Sequence, residues 1–437
     1  MSRRTTRTTA IALCMLAPNL FGFLIFTAGP VIFSAIMAFT NWDLTLHNSY
    51  ASESIKFIGL ENFRELLFGD ESGYFFKYLY NTLYFMLGIP IGIALSLIAA
   101  LLLSKPVALP RGRSMLSVAG LTILLTAVTM IGVHMAGASP LCVFFVCLTG
   151  VLVLLGLSFG QVTFRTLFYL PNLTAGVAIF ILWKSLYNPE NGPINRTIQP
   201  VLDALTGLVH GSPAEVWLVA GWVVRLIALA LFIWITYGTV RRFRDADTGL
   251  VGLLFSELAA ALIFVVIWQL GYVLMQLPNW VASEAGLFAP KWLVSVRWAK
   301  PAIMIMGIFT AIGSNNMLLY LAALSNVPVE LYEASSIDGA DPWQTFWNIT
   351  WPQLAPTTFF IVVMSFIGGL QGGFEQARVM TNGGPAGSTT TLSYYLYLRG
   401  FGDFRLGFAS AIAWVMFIMI FLITIANWKF GSKMVND

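Results

Sequence analysis

The sequence predicts an all-α polytopic membrane protein with about ten transmembrane helices. Of 437 residues, 58% are hydrophobic and 10% charged, and the mean hydropathy is +0.79. A soluble domain carries roughly 25% charged residues. No single core hides so much apolar side chain, so lipid must be the solvent. The apolar residues also gather in runs near the ~20 residues that a helix needs to cross hydrocarbon. Finally, Lys and Arg cluster on alternate loops, as they do when one side of a bilayer retains positive charge.

The chain opens with Arg3, Arg4 and Arg7 before an apolar run from Ile11 to Phe39. That run is longer than a signal-peptide core and lacks a convincing cleavage site, so it reads as a retained first span. Further spans are predicted at 77–103, 114–134, 139–159, 166–187, 215–238, 250–275, 299–324, 354–373 and 406–428, the first covering 9–39. Ten spans place both termini on one side. The groups Arg3/Arg4/Arg7, Lys105/Arg111/Arg113, Arg241/Arg242/Arg244 and Lys429/Lys433 all fall on that side, which is read as cytoplasmic. In the first external loop, 57–67 has apolar residues at helical spacing with acids between them. It is expected to form a short amphipathic helix on the membrane surface. Trp42, Trp183, Tyr187, Trp292 and Trp298 sit near span boundaries, where amphipathic rings favour the interface.

Composition also excludes functions. A net charge of +4, spread along the chain, is no nucleic-acid face. Cys14, Cys142 and Cys147 lie in apolar runs without disulfide or metal spacing, and His47, His134 and His210 are scattered. No Gly-rich phosphate loop is present, so the chain has no ATP site of that kind and no cofactor is expected. Paired carboxylates or a Ser–His set at workable spacing are also missing, which ranks an intramembrane enzyme last.

The most informative stretch is the loop at 329–352, which has helix formers and acids but no Lys or Arg between 325 and 353. It is expected to fold as a short helix, stop at Gly339, and start again, because glycine accepts the left-handed backbone that ends helices. Glu333, Ala334, Gly339, Ile349 and Pro352 match the spacing of the cytoplasmic coupling loop in permease subunits of ABC importers, which this chain resembles. Ser335 stands for that pattern's second Ala and Trp351 for its Leu. The runs 321–328, Asp338-Gly339-Ala340-Asp341 and Thr381-Asn382-Gly383-Gly384-Pro385 resemble the carbohydrate-uptake branch, of the maltose and glycerol-3-phosphate type.

The resemblance implies a six-helix core matched by the runs starting near 9, 77, 166, 299, 354 and 406. Two hairpins are then inserted, at 105–160 and 212–290. The remaining units are 1–104, with two core spans and the external helix; 161–211, with the third; and 291–437, with the last three spans and a coupling loop at 328–353. It also implies partners: a cytoplasmic ATPase dimer that uses ATP, a second permease subunit expected to be a different chain, and an extracytoplasmic solute-binding protein. The setting would be the inner membrane of a prokaryote. Glu333, Ala334, Ser335, Asp338, Gly339, Ala340, Ile349 and Pro352 are the candidate ATPase contacts.

A sugar site needs amide and hydroxyl partners plus aromatic faces. Asn315 and Asn316, before the coupling loop, and Gln371, Phe374 and Glu375, after it, are the candidate substrate path, with Glu375 at the outer mouth. The glycines beside them permit close helix approach or a local break. The absence of a basic cluster from the core spans favours a neutral sugar. Arg225 and Glu257, on consecutive antiparallel helices, are expected to form a structural ion pair or to snorkel, ahead of any relay role. The alternative function, an ion-coupled secondary transporter, needs titratable groups deep in the core. Few are present, and it leaves the loop at 329–352 without a purpose.

Overall fold

A computed structural model describes residues 14–48, 50, 53–104, 115–135, 143, 146–151, 153–154, 161–173, 176–244, 250–284 and 286–436. Among these, seven helices are long and apolar enough to span a membrane: Cys14–Ala38, Ser72–Ser104, Ala214–Arg241, Ile263–Ser283, Val296–Ser325, Pro342–Gln371 and Leu406–Ile425. The shorter apolar helices Ala119–Gly132 and Gly176–Leu186 coincide with two more of the predicted runs. The predicted span 139–159 lies mostly outside the described residues, as do Arg3, Arg4, Arg7 and the basic group at 105–113.

In chain order the elements are α1 (Cys14–Ala38), α2 (Glu61–Phe68), α3 (Ser72–Ser104), α4 (Met115–Met135), α5 (Gln161–Leu173), α6 (Gly176–Leu186), α7 (Pro193–His210), α8 (Ala214–Arg244) and α9 (Leu250–Glu284). They continue with α10 (Val296–Ile312), α11 (Asn315–Ser325), α12 (Val329–Ile337), α13 (Pro342–Thr345), α14 (Trp351–Gln371), α15 (Phe374–Gln376), α16 (Leu392–Tyr397) and α17 (Leu406–Asn436). Two of the apolar clusters among the described residues flank the site. At the end nearer the 328–353 loop, Leu97, Leu103, Met317, Tyr320, Leu354 and Ile361 interlock α3, α11 and α14. At the opposite end, Tyr187, Trp292, Ile303, Met306 and Met380 join α6, α10 and the turn after α15. Tyr187 and Trp292 are therefore core residues and not interface anchors. The Tyr187 hydroxyl donates to the Ala302 carbonyl at 2.9 Å and the Trp292 indole to Asn195 Oδ1 at 2.6 Å.

The amphipathic segment forms α2, yet it is packed into protein more than it is laid on lipid. Leu66 is fully buried against Phe75, Tyr395, Phe408 and Ile412. Asn62 Nδ2 donates to the carbonyls of Ala38 and Thr40, both at 2.9 Å, and so satisfies acceptors that the end of α1 leaves open. At the same end of the molecule, Arg399 Nη2 donates to Glu71 at 2.6 Å and Nη1 to Asp403 at 2.6 Å, while Arg405 holds Glu65 at 2.9 Å. Tyr395 donates to the same Glu71 carboxylate at 2.6 Å. Burial pushes the Tyr395 phenol up, and the bond to Glu71 adds to the shift. The network ties the start of α3 to the segment entering α17. Glu71→Ala is expected to leave Arg399 with Asp403 alone and the Tyr395 hydroxyl without its acceptor, lowering stability by about 2 kcal/mol, read as a lower midpoint of thermal unfolding in detergent.

α8 and α9 form an antiparallel hairpin. It closes tightly where Gly221 and Gly271 face each other: a Cβ on either would lie 2.6 to 2.8 Å from the other's carbonyl oxygen. Arg225 and Glu257 do not pair. The Arg225 guanidinium lies over the rings of Trp268, Trp222 and Tyr272 at 4.8, 5.5 and 5.8 Å. Glu257 accepts from the hydroxyls of Thr236 and Thr239 instead. Thr236 stands eleven residues beyond Arg225 on α8, about 16 Å along the axis, so the antiparallel register parts the charges. Each finds a local answer to burial: aromatic faces for the cation, hydroxyls for the carboxylate.

Candidate functional site

The loop at 328–353 folds as its residue order dictates. α12 begins directly after Pro328, whose backbone is extended. It ends at Asp338, and Gly339 takes φ +74°. The Gly339 N–H then donates to Ser336 and the Ala340 N–H to Ser335, at 3.3 and 3.0 Å, the paired bonds of a Schellman stop. Asp341 starts α13 two residues later. Its carboxylate accepts from the Gln344 N–H at 2.7 Å while Gln344 accepts from the Asp341 N–H at 2.9 Å, a complete capping box. A widened turn, Phe346–Thr350, leads into α14 with Pro352 in its first turn.

Of the candidate contacts, Glu333, Ala334, Asp338, Gly339 and Pro352 are exposed, while Ala340 and Ile349 are half-buried. Ser335 is buried and donates to the Tyr332 carbonyl at 2.8 Å, so it serves the fold of the helix and not an outside surface. Apolar side chains complete the outer face: Ile337 is 86% exposed, Val329 63% and Trp343 57%. Three features escaped the sequence reading. The Tyr332 hydroxyl meets Thr350 Oγ1 at 3.2 Å, bridging the two arms of the loop. Trp343, Trp347 and Trp351 form a ladder with centroids 5.6 and 5.7 Å apart, their four-residue spacing being the one available sequence signal. Phe346 and Trp351 pack on the core cluster of α3, α11 and α14. The arm that leads from α13 into α14 is therefore joined to the bundle by an aromatic column.

Two core spans are interrupted. The helix containing Asn315 breaks at Gly313-Ser314, where Ser314 caps α11 by accepting from the Asn316 N–H at 3.3 Å. Gly313 is required by contact: a Cβ there would stand 1.7 Å from the Phe168 carbonyl oxygen. Asn315 Oδ1 accepts from the Tyr169 hydroxyl at 3.0 Å and from Asn172 Nδ2 at 3.3 Å, so α5 joins this polar patch. α14 ends at Gln371, and Gly373 takes φ +87° before α15 resumes.

The structure divides the predicted path residues. Asn316 lines a cavity of about 180 Å³ with Phe85, Gly88, Ile308, Ala311 and Gln376. A second cavity of about 210 Å³ is walled by Thr82, Met86, Gly369, Gly373, Gln376 and Thr391. Phe85, Ile89 and Gln376 border both. Gln376 is thus the amide that the sequence reading passed over, and its position three residues beyond Gly373 was the available hint. Gln371 is exposed and lines neither cavity. Phe374 turns away from both, into a cluster with Tyr397 and Tyr394 at 5.0 and 5.9 Å. The Glu375 carboxylate covers Gly176 at the start of α6, where a Cβ would lie 2.5 Å from it. The Thr381–Thr391 segment is a pinned turn: Asn81 Nδ2 donates to the carbonyls of Gly387 and Thr390 at 3.0 and 2.9 Å, and Ser388 to Thr391 are buried.

Residues 250–431 match the family described as binding-protein-dependent transport system inner membrane component. A putative ABC transporter permease of Caldicellulosiruptor sp. is 44% identical over 104 residues, 24% of this chain and 74% of that protein. The chain belongs to this family of ABC importer permeases. The probable ABC transporter permease YesP of Bacillus subtilis is 25% identical over 100% of this chain and 94% of its own length. The arabinooligosaccharides permease AraP of the same organism is 36% identical over 41% of this chain and 53% of its own. A crystal structure of a bacterial alginate ABC transporter has the same fold, with a TM-score of 0.58 at 17% identity over 99% of this chain and 97% of that one. The chain is therefore a multi-pass transport subunit and not an enzyme.

Proposed function

We propose that this permease subunit carries a sugar or related solute into the cytoplasm, driven by a separate ATPase acting on the 328–353 loop. One observation carries the coupling role. α12, the Schellman stop at Gly339 and capped α13 form a knob with an exposed apolar face, tied by Tyr332–Thr350 and the tryptophan ladder to the core. That knob suits a groove on a cytoplasmic ATPase dimer, which supplies the ATP chemistry. The loop then lies in the cytoplasm, and both termini with it. A second permease subunit, a different chain, completes the path beside Asn315 and Asn316, and an extracytoplasmic solute-binding protein delivers the solute. Nucleotide and solute bias a two-state bundle between its openings.

The sugar reading is supported by the AraP relative and by the kind of groups along the breaks: Asn315, Asn316, Asn172, Gln376 and Tyr169 offer neutral donors and acceptors to hydroxyls. Glu375, Gln371 and Phe374 lie at the same break but outside both cavities, and support the outer half of the path without lining it. The test is uptake into vesicles reconstituted from the gently solubilised complex. An ATP-hydrolysing subunit should co-purify, and sugar uptake should require ATP and persist when the proton gradient is collapsed. Uptake that needs the gradient and no ATP would sink the proposal.

A further inference from the structure

Beyond the Asn316 cavity, two lysines stand on adjoining helix faces. On α3, Lys77, Tyr80, Tyr84 and Gly88 share a face at helical spacing. That face meets Lys300, Met304 and Ile308 of α10, since a Cβ on Gly88 would touch Met304 at 3.3 Å and Ile308 at 3.5 Å. Lys300 Nζ lies 4.6 Å from the Tyr80 ring centre and 5.6 Å from that of Tyr84. A lysine near a helix end ordinarily snorkels outward to the headgroups. This one is half-buried and lies along α3, level with residues 8 and 12 positions into that helix, roughly 12 to 18 Å from Ser72. Lys77 Nζ donates to the Ala386 carbonyl at 2.7 Å, one turn farther out. Among the described residues the ion-paired carboxylates, Glu65, Glu71 and Asp403, are held by Arg399 and Arg405, and none lies within pairing distance of either lysine.

We infer that Lys300 and Lys77 form an oxyanion-binding entry to the path, so that the carried sugar is anionic, bearing a carboxylate or a phosphate. The inference rests on the sugar reading above and reverses the neutral sugar expected from the sequence. An ammonium with spare donors, held over π-faces on the two helix faces whose Gly88, Met304 and Ile308 go on to line the Asn316 cavity, is matched by an anion and wasted on a neutral ring.

The test uses the complete transporter with its binding protein in vesicles, offered four labelled probes: trigalacturonate, its methyl ester, glycerol 3-phosphate and maltotriose. An anionic probe should enter. Lys300→Gln should cut its uptake about tenfold, the loss of one charge-assisted contact, with Lys300→Arg restoring most of it and Lys77→Gln giving a smaller loss. Entry of the ester or maltotriose alone overturns the anion site and leaves the sugar reading standing, whereas entry of none of the four overturns both. A Lys300→Gln variant that imports the anion normally overturns the site. So does a loss that Lys300→Arg fails to restore, or one that follows the charge of the vesicle lipid and not that of the solute.

Discussion

Gly339→Asp abolishes uptake while the protein remains in the membrane at normal amounts. The glycine holds φ +74°, a conformation that costs most L-residues about 1 to 2 kcal/mol. Space is not the issue, because a Cβ there meets nothing within 4 Å. The damage is therefore to backbone direction and to the charge of the exposed face, not to packing. With the Schellman bonds from Gly339 and Ala340 loosened, α12 and α13 lose their fixed angle. The added carboxylate also places charge on an exposed face that now presents Ile337 at its rim. The core contacts of α14 lie behind the tryptophan ladder and stay intact, which separates transport from folding. Gly339→Asn is the companion variant: Asn and Asp tolerate the left-handed region alike, so the pair isolates the effect of the added charge. Gly339→Asn should keep most of the uptake. Vesicle uptake beside membrane abundance reads both variants, and normal uptake by Gly339→Asp removes the coupling role from this loop.

Gly313→Ala fails earlier, at the level of the folded bundle. Its Cβ would stand 1.7 Å from the Phe168 carbonyl oxygen and 2.8 Å from the carbonyl carbon, so backbone has to move. Side chains cannot absorb such a collision by changing rotamer. α5 must withdraw from α10, breaking the Tyr169 and Asn172 bonds to Asn315. The expected cost is on the order of 3 kcal/mol, at the upper end of overpacking. The measure is the unfolding midpoint and the monodisperse yield in detergent, both falling sharply. A variant as stable as the parent would show that α5 and α10 are not held this close.

The loop at 328–353 was legible in outline, as a helix, a stop at Gly339 and a second start, because its information is local. Gly339, Asp341 with Gln344, and Pro328 each act on the few residues around them, through φ preference, capping and a missing N–H. The same locality explains the spans, whose length and apolarity are set by hydrocarbon thickness. The polar surroundings of the two helix breaks were legible only in part. Asn315 and Asn316 were found as polar groups in an apolar run, but Phe374 was read as a path residue although it packs on Tyr397, and Gln376 was passed over. A break at Gly373 rotates every later side chain, and helical spacing cannot be carried across it.

By itself the amino-acid order determined the helical membrane architecture, the seams at glycine and the knob at 328–353, since each follows from solvent, chain length and neighbouring residues. Only the tertiary structure decided which charges meet. Arg225 and Glu257 part because the Gly221–Gly271 crossing sets the hairpin register. Glu71 and Arg399, far apart in the chain, close on each other, and Lys300 lies beside the tyrosines of α3. Coulomb and cation–π energies depend on distances of a few ångströms between segments, and those distances exist only after the helices have packed.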